Sequence, residues 1–168
     1  MYTNSITRFA IDSVCCLVVL LGVIFGCNSI SSVDQKVNSN FDQELTAKPL
    51  QLPASQPAAV KEAWVIGDRS EPAGYALRLR AESRSGYFTA LVMLYSSFTI
   101  KKVEVEKYIG ERGGEIRRGK FLNQFHDKRS GEGLHIGEDI DAVTGATISS
   151  KAFTEAVRKS VRWLASYR

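Results

Sequence analysis

The sequence predicts an α+β fold, in which an antiparallel sheet of three or more strands carries two packed helices. Two observations support this class. Several apolar or alternating segments follow one another with only short turns between them, which is typical of an antiparallel meander. Two segments nearer the C-terminus repeat apolar residues every three or four positions instead, which is typical of helices that bury one face.

The strand candidates lie in the first half of the domain. They are, in order, AWVI from Ala63, GYALRLRAES from Gly74, YFTALVMLYS from Tyr87 and FTIKKVEVEKYI from Phe98. The second alternates, with Tyr75, Leu77 and Leu79 on one side and Arg78 and Arg80 on the other, and so predicts a half-buried strand. The third is almost continuously apolar and predicts a central strand.

Both helices are predicted after the strands. FLNQFHDK predicts a short amphipathic helix with Phe121, Leu122 and Phe125 facing inward. A longer helix is predicted from about Ser149 to the end of the chain. Its apolar stripe would consist of Phe153, Ala156, Val157, Ser160, Val161 and Leu164.

The first 27 residues have the features of a targeting segment. Residues 14–25 are apolar without interruption, and this length suits a signal-peptide core better than a membrane span. Ile24–Cys27 resembles a bacterial lipobox, in which Cys27 would be lipidated. An uncleaved anchor fits the same residues. Either alternative places the rest of the chain outside the cytoplasm and ties it to a membrane.

A flexible tether is predicted over residues 28–62. This segment is rich in Ser, Asn, Gln, Ala and Pro and holds three of the four prolines of the chain. Such a composition offers little apolar surface to bury. The sequence therefore predicts three parts: residues 1–27 as targeting segment, 28–62 as tether and 63–168 as folded domain.

Several functional classes are disfavoured by the sequence. The net charge of +4 is mild and its basic residues are scattered, which argues against nucleic-acid binding. His126 and His135 lie far apart, without Cys or carboxylate partners at ligand spacing, so no metal site is expected. Residues 114–120 fit G-x-x-x-x-G-K, but Phe121 replaces the Ser or Thr that a phosphate-binding loop needs for Mg²⁺.

The stretch DAVTGATISSKAF, from Asp141 to Phe153, has the strongest functional signal. A helix start offers unpaired N–H groups and partial positive charge, which favour an anion. Gly145 and Ala146 leave room for a ligand near the backbone. Thr144, Thr147, Ser149 and Ser150 add four hydroxyl groups, although an ordinary helix cap would use the same residue types.

Asp141–Thr147 resembles the D-x-x-[ST]-G-A-T motif of the FMN-binding domain family. That family includes the extracytoplasmic flavin subunits of the Rnf complex and of the sodium-translocating NADH:quinone reductase. FLNQFHDK resembles the F-x-x-Q-F-x-x-K segment of the family, and the resemblance spans residues 74–164. The E-T-P-G-L-G segment of many members corresponds here to Glu111–Glu115, where its Thr and Pro are missing.

The resemblance implies that FMN is joined through its phosphate to the Thr147 hydroxyl by a dedicated flavin transferase. Thr144, Gly145, Ala146, Asp141 and Ser150 would then surround the cofactor, and Asp141 would help the transferase to recognise the loop. A carrier of electrons is expected rather than a self-sufficient catalyst, with a membrane-bound or extracytoplasmic redox partner. A scaffold lipoprotein without flavin and a non-covalent FMN sensor stay open as alternatives.

Overall fold

A computed structural model describes residues 32–129 and 132–167, and its centre is a five-stranded antiparallel sheet. The strands are β1 (Ala47–Pro49), β2 (Val60–Gly67), β3 (Pro72–Ser83), β4 (Gly86–Tyr95) and β5 (Ile100–Ile109). Each strand pairs with the one that precedes it in sequence, so the sheet is a simple meander. The predicted fold class and the antiparallel meander are confirmed.

The sheet has two apolar faces, and the longest helix covers the first of them. This helix, α3 (Thr147–Tyr167), buries every residue of its predicted stripe. Its Phe153 ring lies 5.4 Å from the Phe88 ring of β4, measured between ring centroids. Phe121 and Phe125 pack on the same Phe153 ring at 5.6 and 5.2 Å. This aromatic cluster fixes the start of α3 against the sheet.

The predicted helix over FLNQFHDK is shorter and less regular than expected. The chain forms a 3₁₀ turn at Gly114–Arg117, a single α-helical turn α2 at Gly119–Leu122, and a second 3₁₀ turn at Asn123–Phe125. Helix geometry stops there because the next residues pair with β5 instead: Asp127 N–H donates to the Ile100 carbonyl at 2.9 Å. Phe121 and Phe125 are buried as predicted, and Leu122 is half-buried.

The described part of the predicted tether is folded, which corrects the prediction for residues 28–62. Helix α1 (Ser32–Phe41) buries Val33 and Val37 on the second face of the sheet, against Leu91 and its neighbours. The chain then adds β1 to the edge of β2. Composition alone misses this helix because apolar residues spaced four apart form one stripe even in a polar segment.

The folded unit consequently begins at Val33 rather than at Ala63. The predicted targeting segment and the lipobox cysteine, Cys27, lie outside the described residues. Within residues 32–129 and 132–167, no helix combines the length and apolar character needed to cross a bilayer.

Candidate functional site

The Asp141–Thr147 motif forms a tight turn that leads directly into α3. The Ala146 N–H donates to the Val143 carbonyl at 2.9 Å, which closes the turn. Gly145 has a φ of +82°, a value that a residue with a side chain adopts only with strain. This explains the glycine of the motif in backbone terms.

The Ser150 side chain stabilises the turn through two hydrogen bonds to its backbone. Its hydroxyl oxygen accepts a hydrogen bond from the Val143 N–H at 3.1 Å and donates to the Ala146 carbonyl at 3.0 Å. The side chain is fully buried. The sequence predicts Ser150 beside a cofactor, but in the structure its hydrogen bonds hold the loop itself.

Helix α3 begins without a side-chain cap. Ala146 occupies the cap position, because its carbonyl accepts the first helical hydrogen bond from Ser150 N–H at 2.8 Å. An alanine methyl group cannot accept a hydrogen bond. The backbone N–H groups of Thr147, Ile148 and Ser149 therefore have no partner among the described residues. Thr147 itself is exposed, with its hydroxyl at this electropositive end of the helix.

A cavity of about 240 Å³ lies over this helix start. Its lining consists of Arg84, Arg112, Gly113, Gly145, Ala146, Thr147, Ile148 and Ser149. The space next to the Gly145 α-carbon is open, since no atom comes within 4 Å of the place where a β-carbon would be. A ligand can therefore approach both the Thr147 hydroxyl and the backbone of the turn.

Two further cavities are lined by neighbouring segments of the chain. One of about 420 Å³ is lined by Asp141 and Thr144 together with Arg118 and Lys120. The other, of about 540 Å³, is lined by residues 110–115 and again by Arg118. The motif residues are thus brought to one region, but Asp141 and Thr144 lie in a different cavity from Thr147.

The two sequence segments that carry the family resemblance contact each other through Gln124 and Asp141. The Asp141 N–H donates to Gln124 Oε1 at 2.7 Å, and Gln124 Nε2 donates to the Asp141 carbonyl at 3.3 Å. The glutamine side chain thereby hydrogen-bonds both backbone groups of the first motif residue, as a neighbouring strand would. Its place in the segment F-x-x-Q-F has a direct structural reason.

Sequence reasoning did not find the basic residues at the site, Arg84 and Arg112. Arg84 lies at the tip of the β3–β4 hairpin, which the sequence identified only as a turn. Arg112 precedes Gly113, whose φ of +93° marks a special backbone position. The glycines around residue 113 were the only sequence feature that indicated a special role for the loop around Arg112. Nothing local in the sequence indicates that the β3–β4 hairpin tip contacts this loop.

The premise that the histidines lack carboxylate partners is wrong, and the expectation of no metal site stays a prediction. His135 Nδ1 lies 3.6 Å from Asp139 Oδ2, and Glu138 completes a group whose ligand atoms fall within 4.8 Å of one another. His135 therefore does have carboxylate neighbours, because the loop folds back on the His135 carbonyl, which accepts N–H bonds from Asp139 and Ile140. All three side chains are exposed, and exposed acidic groups of this kind are common without an ion.

Fold and site together define an α+β module with an exposed, hydroxyl-bearing turn at the start of its last helix. Residues 84–162 match the family model described as the FMN-binding domain. The matched part contains β4, β5, the motif turn and most of α3, and the match supports the resemblance of the Asp141–Thr147 motif to the FMN-binding domain family.

A solved structure shares the fold. It is a subunit of the Na(+)-translocating NADH-quinone reductase from Parabacteroides distasonis ATCC 8503, with a TM-score of 0.52 and 19% sequence identity. The likeness covers 82% of this chain and 83% of that one. No curated protein sequence matches the chain.

Proposed function

We propose that this protein is a membrane-tethered, extracytoplasmic electron-transfer flavoprotein that carries FMN bound through its phosphate to Thr147. One observation carries the proposal. In a domain that matches the FMN-binding family model, the last threonine of the motif is exposed at an uncapped helix start, inside an arginine-lined cavity.

The residues present fit a phosphate ester at this position. The unpaired N–H groups of Thr147, Ile148 and Ser149 supply donors, and the helix end supplies partial positive charge. Arg84 and Arg112 line the same cavity. A phosphodiester keeps one negative charge, so the N–H groups and the two arginines would stabilise it. An apolar or cationic ligand would not be stabilised by these groups.

Attachment requires an activated phosphoryl donor and an external base. The Thr147 oxygen would attack the flavin-side phosphorus of a flavin dinucleotide, the phosphoanhydride bond would break, and a nucleoside monophosphate would leave. The hydroxyl proton must go to a base, and no carboxylate or imidazole is among the described residues that line the Thr147 cavity. A flavin transferase would supply this base. Asp141, exposed in the neighbouring cavity, is available for contact with that enzyme.

FMN, when bound, supplies one-electron and two-electron chemistry, and the chain supplies attachment and position. A covalent bond to Thr147 would keep the cofactor from diffusing away outside the cytoplasm. The N-terminal segment, with lipidated Cys27 or an uncleaved anchor, would hold the domain near a membrane-bound or extracytoplasmic redox partner. Mass analysis of the mature N-terminus distinguishes these two anchors.

Flavin fluorescence of the denatured protein tests the attachment. The full chain is co-expressed with a flavin transferase, denatured and viewed on a gel under ultraviolet light. We expect a fluorescent band that Thr147→Ala abolishes and that Thr147→Ser retains. Thr144→Ala is the matched control, because Thr144 lies in the same turn but in another cavity.

The other outcomes separate the alternatives. A Thr147→Ala band as bright as that of the unaltered chain would show that the attachment residue is wrong. Flavin that copurifies but is lost on denaturation would indicate a non-covalent sensor. A colourless protein with an active transferase present would indicate a scaffold in which the motif only starts a helix.

A further inference from the structure

Arg84 and Arg112 are two basic residues without acidic partners beside Thr147. Both line the cavity of about 240 Å³ at the start of α3. Among the described residues, neither guanidinium group forms an ion pair or a hydrogen bond. Two other arginines of the described chain are paired with carboxylates, Arg158 with Glu155 and Arg78 with Glu106. The protein supplies no acidic partner for either arginine, so the two cations in this cavity are suited to binding an anionic ligand.

The backbone that carries Arg84 is held firmly. Arg84 and Ser85 form the two-residue loop between β3 and β4, and this hairpin tip is pressed onto the end of β5. A β-carbon at Gly86 would lie 1.9 Å from the Ile109 carbonyl oxygen, so only glycine permits this approach. The Ser85 hydroxyl then bonds the Arg112 carbonyl at 3.3 Å, which connects the two arginine segments directly.

The backbone of Arg112 is held from the other side by Tyr108. The Tyr108 hydroxyl donates to the Arg112 carbonyl at 2.5 Å. Because its single proton is used there, it accepts from the Ser149 hydroxyl, which lies 3.0 Å away. Ser149 belongs to the first turn of α3. Hydroxyl groups thus connect the hairpin tip, the loop around residue 112 and the helix that bears Thr147.

We propose that Arg84 and Arg112 form a phosphate clamp that binds the flavin phosphate at Thr147 before the ester bond forms and after it. The proposal rests on the proposed function, because it assigns the ligand of the same cavity. Arg112 lies in the Glu111–Glu115 segment, where the Thr and Pro of the E-T-P-G-L-G segment are missing. The hydroxyl network holds the backbone of the two arginine segments in place before a ligand arrives, and a site whose backbone is preorganised loses less entropy on binding.

The clamp has consequences for the protein without covalent flavin. Such protein should bind FMN and inorganic phosphate at the same place, so that phosphate displaces FMN. Riboflavin, which has the ring system but no phosphate, should bind much more weakly. Both phosphate-dependent affinities should fall as salt concentration rises, because screening weakens exposed charge pairs.

Calorimetry and fluorescence on the full chain, expressed without transferase and purified in detergent, test the clamp. We expect each of the variants Arg84→Gln and Arg112→Gln to weaken binding of inorganic phosphate and FMN about tenfold, the size of one charge-assisted hydrogen bond. Arg112→Lys should recover part of the loss, since it restores charge without the planar fork. The matched control is Arg162→Gln, which removes the same charge from an exposed position far along α3.

Melting temperatures of all variants identify any that are unfolded, and each Gln variant tests the clamp by itself if the other does not fold. Unchanged phosphate affinity in folded Arg84→Gln and Arg112→Gln overturns the clamp, and so does an unaltered chain that binds no phosphate. Failure of the proposed function looks different. There the phosphate affinity and its loss in the variants remain, but Thr147 carries no flavin after co-expression with the transferase.

Discussion

Gly113 and Ser149 approach so closely that a β-carbon on Gly113 would lie 2.1 Å from the Ser149 hydroxyl oxygen. It would also lie 2.6 Å from the Tyr108 hydroxyl. The glycine therefore lets the loop around Arg112 rest directly on the first turn of α3. The relationship connects two regions that the sequence separates widely, and the proposed cofactor site depends on it.

Replacing this glycine should be more damaging than replacing the glycine of the motif. Gly113 and Gly145 both have positive φ, at +93° and +82°, so alanine at either position costs about 1 to 2 kcal/mol of backbone strain. Gly113→Ala also forces overlap with Ser149, which adds about 1 to 3 kcal/mol. Gly145→Ala adds no overlap, because the space there is open. Urea unfolding measures the free energy of unfolding of both variants. Equal losses of stability in Gly113→Ala and Gly145→Ala would contradict the close approach of Gly113 to Ser149.

Removal of the Gln124 side chain should loosen the motif. Gln124→Ala deletes both hydrogen bonds to the Asp141 backbone, so we expect the free energy of unfolding to fall by about 1 kcal/mol. Flavin attachment should slow as well, because the turn that presents Thr147 follows directly. Asn123→Ala is the control, since the neighbouring side chain is exposed. If Gln124→Ala attaches flavin at the rate of this control, the glutamine does not position the loop.

The buried serines of α3 should differ in their effect on stability. Ser150→Ala leaves the Val143 N–H without its partner, which costs about 1 to 3 kcal/mol. The Ser160 hydroxyl is equally buried but has no hydrogen-bond partner among the described residues, so Ser160→Ala should be nearly neutral. Thermal unfolding of the two variants is the measurement. A Ser160→Ala variant that loses as much stability as Ser150→Ala would contradict this assignment.

Glu106 should make folding sensitive to acid. Burial alone would raise the pKa of Glu106, but hydrogen bonds from Arg78 and Lys36 outweigh burial and lower the pKa. Glu62 and Glu104 are the other charges in this network. A carboxyl group with a lowered pKa stabilises the fold above its ordinary pKa, about 4.3, and loses that contribution as the pH falls through the lowered value.

Denaturant unfolding at several pH values checks the acid effect. Glu106→Gln should be less stable than the unaltered chain near neutral pH, and the difference should shrink as the pH falls below about 4.3. Glu71→Gln, an exposed glutamate without an ion pair among the described residues, should show no such dependence. A stability difference for Glu106→Gln that is constant from neutral to acidic pH would exclude this role.

Local sequence pattern predicted the strands and the last helix well. The alternation from Tyr75 to Leu79 and the apolar run from Tyr87 reflect which side chains face the core, and that information is local. The apolar stripe of α3 is likewise visible in the local sequence pattern. Helix α1 was missed because its few apolar residues are hidden in a polar composition, and its stability comes from the sheet face that it covers.

The site was predictable only in part. The motif and the Gln124 segment are contiguous in sequence, so their resemblance to the family was visible there. The arginine cavity depends on contacts between a hairpin tip, a loop and a helix start, which a single sequence does not reveal. Ser150 illustrates the reverse limit: its residue type suggested contact with a ligand, yet burial and two backbone hydrogen bonds assign it to the turn.

Peptide mapping of the native protein tests the central claim most directly. Protein is taken from a host that contains an active flavin transferase, digested, and the peptide that contains Thr147 is sequenced by mass spectrometry. We expect this peptide to be heavier by one FMN less one water, with the added mass on the threonine oxygen. An unmodified Thr147 peptide, from a host that attaches flavin to another protein of this family, would contradict the attachment.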